Sequence, residues 1–421
     1  MAELFVGIDL GNYEHFVCVL SRDREVLAEF VVKANGEGEA ELLKRLRGYQ
    51  PDSLAAVEAA TEVTSGPIVE ALLDAGVRVY GVNPKQVDRF RDRHSVAGSK
   101  DDRRDAFVIA DALSTDRRCF RELRTSEPEI VELRGLSRES EELKKDLART
   151  CGRLRTELLR YYPQVLELSP GVDDRWVWSI LELAPTPAEA RRKGVGKIAE
   201  ILKSSRVRRF TADEVRALLK SRPVTVAPGV TKAASERVLR LVQRARFLAA
   251  QLREVERGMD RLLKELGLGN EDPDEGNQRK QRDAKTLLSL PGAGRAVVAT
   301  LLTEATGAIH GRDYQALRAL TGVAPVKNVT GRRKQGKGAI LMRRACSPRL
   351  RQALYHWARV AIQRDEAARE QYDRLRAKGH GHARVLRSVG DRLLRIACAM
   401  LQTGTLYDPR LRGATRAATA A

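Results

Sequence analysis

Asp9 stands in the apolar run FVGIDLGN, with Gly7 two residues before it and Gly11 two residues after. A carboxylate inside a buried strand is costly if it serves packing alone, and small neighbours let backbone and ligands come close. Glu58 lies at the end of a second run, LAAVEA, and is expected beside Asp9 if the two strands are neighbours. In SKDDRRDA, Asp102 and Asp105 are spaced i and i+3 at a helix start, so both project toward one face. Four carboxylates converging on one spot repel unless cations neutralise them. Two Mg²⁺ ions roughly 3.5 to 4 Å apart, held by oxygen ligands, would supply that charge and activate phosphodiester chemistry. Plainer readings exist for each residue. Asp102 and Asp105, with Asp101, complement a helix dipole, and Glu58 reads equally as a solvated strand end. Taken together in this order, the metal site is favoured.

These residues need strands and helices to hold them. The first ~120 residues alternate β-rich runs with helical patterns, which marks an α/β domain. Strands are expected at Leu4 to Asp9, Phe16 to Leu20, Val26 to Val32, Leu54 to Glu58 and Val77 to Val82. Helices are expected at Glu37 to Tyr49, Gly66 to Ala75 and Asp101 to Thr115, giving a mixed sheet with a meander at one side.

Beyond Glu127 the β signal stops. Leu136, Leu143, Leu147, Leu154 and Tyr161 keep an interrupted heptad seam that ends before Pro163. Leu241, Leu248, Val255 and Leu262 repeat every seven residues, and Ala245, Leu252, Met259 and Leu266 repeat four residues later. Two such arms around an insert predict an antiparallel coiled-coil hairpin that could also pair with another protomer. The insert, with Trp176 and Trp178 expected in its core, reads as a small helical cap. An acidic, breaker-rich stretch from Glu271 to Gly276 reads as a linker to a third, basic, helical domain, and the end after Arg412 reads as disordered. The expected domains are 1–125, 126–275 with an insert at about 164–230, and 276–421.

Charge is divided unevenly among them. The 421-residue chain carries a net charge of +20 with 43% hydrophobic residues, which excludes a disordered polyelectrolyte and points to a folded protein with a polyanionic partner. Residues 1–100 hold 12 basic and 16 acidic side chains, whereas residues 276–421 hold 29 and 9. The densest window contains Arg332, Arg333, Lys334, Lys337, Arg343, Arg344, Arg349 and Arg351 without one acid. Solvated helix faces usually mix both signs, so this window is expected to follow a phosphate backbone. Membrane binding would want Trp or Phe opposite the charges, and residues 332–351 have none. The five scattered cysteines form no C-x-x-C pair, which fits a reducing compartment better than a disulfide scaffold or zinc knuckle. Without an apolar leader or an 18-residue apolar run, a soluble, cytoplasmic, nucleoid-associated protein is expected.

Asp9, Glu58 and the KDDRRDA segment resemble the DEDD domain of the insertion sequence 110 (IS110/IS1111) family of transposases. The resemblance extends along the chain. It includes the helical middle, LLSLPGAGRAVVATLL, ALRALTGVAPVKNVTGRRKQGKG and RRACSPRLRQALYHWA. It implies an RNase H-like, RuvC-like first domain and DNA strand exchange, in which the carboxylate site acts with a C-terminal serine that links covalently to a DNA 5′ phosphate. It also implies a noncoding bridge RNA that chooses donor and target DNA. The family's serine precedes a glycine shortly after a G-x-x-P block. Here that block is Gly322 to Pro325, and the matching residue is Thr330, before Gly331. A threonine hydroxyl can act as nucleophile, although its methyl hinders attack and fixes the rotamer. The nearest serine, Ser347 before Pro348, reads as a helix N-cap.

Gly292 and Gly294 in LPGAG resemble a helix-hairpin-helix turn that offers backbone N–H groups to phosphate; an ordinary packing joint is the equal alternative. His356 is expected in packing or a polar core contact, and His380 and His382 make a poor metal site. The sequence therefore predicts a multidomain α/β plus all-α, oligomeric transposase or recombinase, as a dimer or tetramer, acting on DNA. A junction nuclease that uses water and a catalytically silent nucleic-acid-binding relic are the alternatives.

Overall fold

The structure, a computed structural model, describes residues 4–93, 101–124, 127–268, 283–328 and 339–409. The chain divides into two units, Met1–Glu127 and Pro128–Ala421.

In the first unit, β1 (Leu4–Leu10), β2 (Glu14–Ser21) and β3 (Val26–Lys33) form an antiparallel meander. On the other side of β1, β4 (Val57–Thr61) and β5 (Arg78–Gly81) run parallel to it, and the short β6 (Arg121–Glu122) closes the order β3-β2-β1-β4-β5-β6. Alternation gives the sheet two apolar faces. Val6, Ile8, Val17, Val19, Val57 and Val79 share a core with Leu42 and Leu46 of α1 (Gly36–Tyr49) and Ile68 and Leu72 of α2 (Pro67–Asp74). The other face is covered by α4 (Asp102–Asp116), whose Ala106 and Ala110 pack with Cys18 and Leu20.

Gly7 makes that contact possible. A Cβ there would lie 1.9 Å from the Ala106 carbonyl oxygen and 2.6 Å from the Ala110 nitrogen, so only a residue without a side chain lets the helix backbone rest on β1. Asn35, Asn83 and Asp101 cap α1, α3 (Pro84–Arg91) and α4 through their side chains, the capping chemistry of helix N-termini.

The sequence reading of Leu54 to Glu58 as a strand is displaced. Ser53 accepts a hydrogen bond from the Ala55 N–H and turns Leu54–Ala56 into a 3-10 helix, so the strand begins at Val57 and all five of its residues are buried. A short apolar run does not reveal its own register, and neither α3 nor β6 was expected.

Among its described residues, the second unit is helical apart from one hairpin. Its spine is α5 (Pro128–Tyr161) against α11 (Val230–Leu268). Ion pairs Arg261–Glu132, Lys144–Glu256 and Arg237–Glu157 show that the two run antiparallel. Leu248, Leu252, Val255, Met259, Leu262 and Leu266 are buried along α11. Between the arms, α6 (Val165–Leu168), α7 (Arg175–Leu183), α8 (Pro187–Arg192), α9 (Val195–Ser204) and α10 (Ala212–Lys220) enclose a separate core. Trp176 and Trp178 lie in it, and the Trp178 Nε1–H donates to the Val172 carbonyl at 2.7 Å.

The remaining helices gather at the other end of the arms. They are α12 (283–289), α13 (Arg295–Glu304), α14 (Thr306–His310), α15 (Tyr314–Thr321), α16 (Pro348–Arg364), α17 (Glu366–Ala377) and α18 (His382–Thr403). One core joins Leu133, Val255 and Met259 of the arms to Val298, Leu354, Trp357 and Leu393 of these helices. The antiparallel hairpin β7 (Pro325–Asn328) and β8 (Ala339–Met342) leads from α15 toward α16. Among the described residues, no helix is long and apolar enough to cross a membrane.

Candidate functional site

Along the parallel β1–β4 pair, Phe5 lies opposite Glu58, Gly7 opposite Ala60 and Ile8 opposite Thr61. The next residues on the two chains are Asp9, still in β1, and Glu62, in the bend that follows β4. Both are half-buried. By alternation Asp9 shares the face of Gly7, which is the face under α4.

The direction of α4 decides which other carboxylates join them. Ala106 and Ala110 cross Gly7. Arg117, just beyond the helix, reaches Glu58 at 2.9 Å, beside Phe5. The helix is therefore antiparallel to β1, and its N-terminal turn lies toward the carboxyl end of β1, where Asp9 stands. Asp102, exposed, and Asp105, buried, occupy that turn. Asp101 is spent as the cap, accepting from the Arg103 N–H at 3.2 Å.

Glu58 is not part of this group, contrary to the sequence expectation. It is four residues away from Asp9 in register, about 13 Å at ~3.3 Å per residue. Its side chain is fully buried and ion-paired with Arg78 at 3.0 Å and Arg117 at 2.9 Å, and the Arg117 guanidinium lies over the Tyr80 ring. The carboxylate that continues the register is Glu62. Its signal in the sequence was position: Glu62 ends the run that Glu58 interrupts and stands directly before the turn residues VTSGP.

Asp105 has a partner that sequence reasoning missed. Arg91, the last residue of α3, donates from Nε to Oδ1 at 2.7 Å and from Nη2 to Oδ2 at 2.8 Å. These bonds raise the Arg91 guanidinium above its ordinary pKa. Among the described residues, no three His, Cys, Asp or Glu side chains are arranged to hold a metal ion. The donor set nonetheless suits a hard divalent cation, because it offers carboxylate oxygens only, with Arg91 as the cation seen on Asp105. The Cys18 thiol, across from Gly7 on β2, is pushed up to about 12 by burial.

Two family models match separate parts of the chain: one described as a transposase of the DEDD IS110 type over residues 6–163, the other as the transposase IS116/IS110/IS902 family over residues 284–373. A Streptomyces coelicolor protein named as the mini-circle transposase for IS117 is 29% identical over 96% of this chain and 95% of its own length. The chain belongs to the IS110 family of transposases. A Sinorhizobium fredii protein named as a transposase is 42% identical over 212 residues, 49% of this chain and 58% of that relative's length. An IS110 insertion element protein of Streptomyces coelicolor is 26% identical over 97% of the chain.

In the C-terminal part of this transposase, Thr330, Arg332, Arg333, Lys334 and Lys337 lie outside the described residues, as does the linker 271–276. Of the remaining basic residues in the window, Arg349 is committed to protein partners. It reaches Glu141 at 2.8 Å, Glu304 at 3.2 Å and the Ser137 hydroxyl at 3.1 Å. Arg351 donates to the Arg343 and Arg344 carbonyls at 3.2 and 3.3 Å and contacts the Cys346 sulfur. Arg343 donates to the Ala345 carbonyl at 3.0 Å, and Arg344 is exposed. Arg349 and Arg351 thus shape the start of α16, a role that the single-sign run concealed because the acidic partners of Arg349 lie far off in sequence and Arg351 is held by carbonyls and a sulfur instead of acids.

Gly292 is a packing joint. It has φ +78°, and a Cβ there would lie 2.7 Å from the Ala361 nitrogen of α16, while the Trp357 Nε1–H donates to the Pro291 carbonyl at 3.0 Å. Gly294 is the exposed N-cap of α13, with open space around it and no side-chain cap. Gly322 ends α15 with φ +75°, its Cα facing the Cys346 sulfur. Ser347 is the N-cap of α16, as expected. His356 departs from expectation: it is exposed, within 3.0 Å of the Gln352 amide. His382 meets the Tyr372 hydroxyl at 2.7 Å.

Proposed function

We propose that this transposase cleaves and exchanges DNA strands, and that its first unit is an RNase H-like nuclease domain. Asp9, Glu62, Asp102 and Asp105 would hold Mg²⁺, as a two-metal site, at the carboxyl ends of β1 and β4. The observation that supports this reading is that the N-terminus of α4 lies toward the carboxyl ends of the central strands β1 and β4. Glu62 takes the place first given to Glu58, whose charge is met by Arg78 and Arg117. A bound divalent ion would offset charge on a phosphodiester and polarise its oxygens.

Thr330 remains the proposed nucleophile, by resemblance to the family's serine. Its Oγ would attack phosphorus, the new Oγ–P bond replacing the P–O3′ bond, with the hydroxyl proton ending on the released 3′ oxygen. Arg332, Arg333, Lys334 and Lys337 would offset the phosphate charge around it. By the same resemblance, a noncoding bridge RNA would select donor and target DNA, and the working form would be a homo-oligomer, dimer or tetramer. The net positive charge of residues 276–421 supports a nucleic-acid partner there.

The test is strand cleavage by the full chain on element-end DNA in Mg²⁺, with and without the flanking noncoding RNA, followed by trapping of protein–DNA adducts under denaturing conditions. An adduct mapped to Thr330, lost in Thr330→Val and kept in Thr330→Ser, supports covalent transfer. Cleavage without any adduct favours the water-using junction nuclease. Absence of cleavage in every condition favours the silent relic.

A further inference from the structure

Asp105 is almost wholly enclosed, its side chain 3% exposed. A buried carboxylate calls for a positive partner to offset its loss of water. Arg91 supplies one, engaging both Asp105 oxygens from α3. These are the oxygens a divalent cation would take. A two-pronged guanidinium occupies one acceptor position on each oxygen, so a metal ion arriving at Asp105 meets a positive charge already seated on its ligand.

Arg91 also has somewhere to go. Its Nη1 donates to the Asp88 carboxylate at 3.0 Å, and Asp88, one helical turn earlier, has a side chain 65% exposed. Rotation of the arginine side chain could keep the Asp88 bond and free Asp105. Arg91 thus lies between two carboxylates, one buried in the proposed metal site and one at the surface.

We infer that Arg91 is a positioning residue that stands in for the metal: its two-pronged contact holds the Asp105 carboxylate in place, and it competes with the divalent ion for the same oxygens. This rests on the proposal that Asp105 is a metal ligand. The arrangement resists loading by metal alone, and it releases a cation suited to forked contact with a phosphate once Asp105 has been taken over.

The experiment is titration of the full chain with Mn²⁺, followed by calorimetry and by the electron-spin signal of free Mn²⁺, with thermal unfolding in parallel. Arg91→Gln is expected to bind Mn²⁺ about tenfold more tightly than wild type, equivalent to about 1.4 kcal/mol, the scale of hydrogen bonds to a charged group. It is also expected to unfold at lower temperature without metal and to regain that loss with Mn²⁺. Arg91→Lys, which cannot fork across both oxygens, should fall between the two. Asp88→Asn, a change at the surface, should weaken Mn²⁺ binding, because Arg91 then has Asp105 as its remaining carboxylate. A merely structural Arg91 would leave Mn²⁺ affinity unchanged or weakened in Arg91→Gln and unmoved in Asp88→Asn, and that result overturns the inference. If neither wild type nor Arg91→Gln shows Mn²⁺ binding that Asp105→Asn removes, the metal-site proposal itself fails, and the inference with it.

Discussion

Glu58 lies in register with Phe5, four residues before Asp9, whereas Glu62 directly follows Thr61, the partner of Ile8. Glu58 meets Arg117 just beyond the C-terminus of α4, while Glu62 lies past the carboxyl end of β4. Glu62→Gln should lower strand cleavage by about 10² or more, the scale of losing a charge-stabilising group at a reacting centre, while leaving the unfolding midpoint nearly unchanged. Glu58→Gln should do the reverse. Removing its charge deprives Arg78 and Arg117 of their shared partner, and because both arginines reach solvent the cost is about 1 to 3 kcal/mol. Cleavage assays and urea unfolding on the same preparations separate the outcomes, and retention of cleavage in Glu62→Gln with its loss in folded Glu58→Gln would return the site to Glu58.

Much of this was legible in the sequence because it is local. Strands β1 to β3, helix α1 and the helix that starts near Asp101 follow from alternation and periodicity, and the buried heptad positions of α11 follow from their spacing. What was not legible depends on distant partners. The run LAAVEAAT fits a strand in more than one register, and only Ser53 capping the preceding turn moves the strand start to Val57. Arg91 and Asp105 are 14 residues apart across a stretch with no periodicity to join them. Gly292 has the same signature whether it offers N–H groups to a phosphate or admits the backbone of α16, and the two readings part only when Ala361 is seen against it.

Gly7→Ala tests the seat of α4 on the sheet. The added methyl would overlap two backbone atoms, Ala106 O and Ala110 N, and no rotamer change relieves a clash with backbone. The expected loss is at the upper end of overpacking, about 3 kcal/mol or more, read as a lowered urea midpoint. A full-stability Gly7→Ala protein would show that α4 does not rest on β1.

The Glu141 carboxyl is held below its usual pKa, first by the hydrogen bond from Lys145 and also by Arg349, against a smaller opposing effect of burial. A carboxylate with a depressed folded pKa contributes stability that is present above its unfolded value of about 4.3 and is lost as pH falls through the folded one. Urea unfolding from pH 6 downward should therefore show a steeper acid loss in wild type than in Glu141→Gln. The difference should be no more than about 1 kcal/mol, since the side chain is partly solvated. Identical acid slopes would mean that the pairs with Lys145 and Arg349 do not persist in solution.

Arg349 provides the sharpest separation between nucleic-acid contacts and internal ones. It belongs to the acid-free basic window, yet Glu141 at 2.8 Å and Glu304 at 3.2 Å offset its charge, and the Ser137 hydroxyl takes a further N–H. A cation neutralised from two sides releases few counterions from DNA. Each phosphate neutralised contributes about 0.9 to the slope of log K against log salt on duplex DNA. Arg349→Ala should therefore leave that slope unchanged between roughly 50 and 200 mM salt. It should also destabilise the second unit, because Glu141 of α5 and Glu304 of α13 lose the partner that ties them to α16. Arg332→Ala and Arg333→Ala, by contrast, should each flatten the slope by up to about 0.9 without lowering the unfolding midpoint. Fluorescence anisotropy on a duplex of element-end sequence, paired with urea unfolding, measures both quantities. A flattened slope in Arg349→Ala with unaltered stability would move Arg349 back among the phosphate contacts.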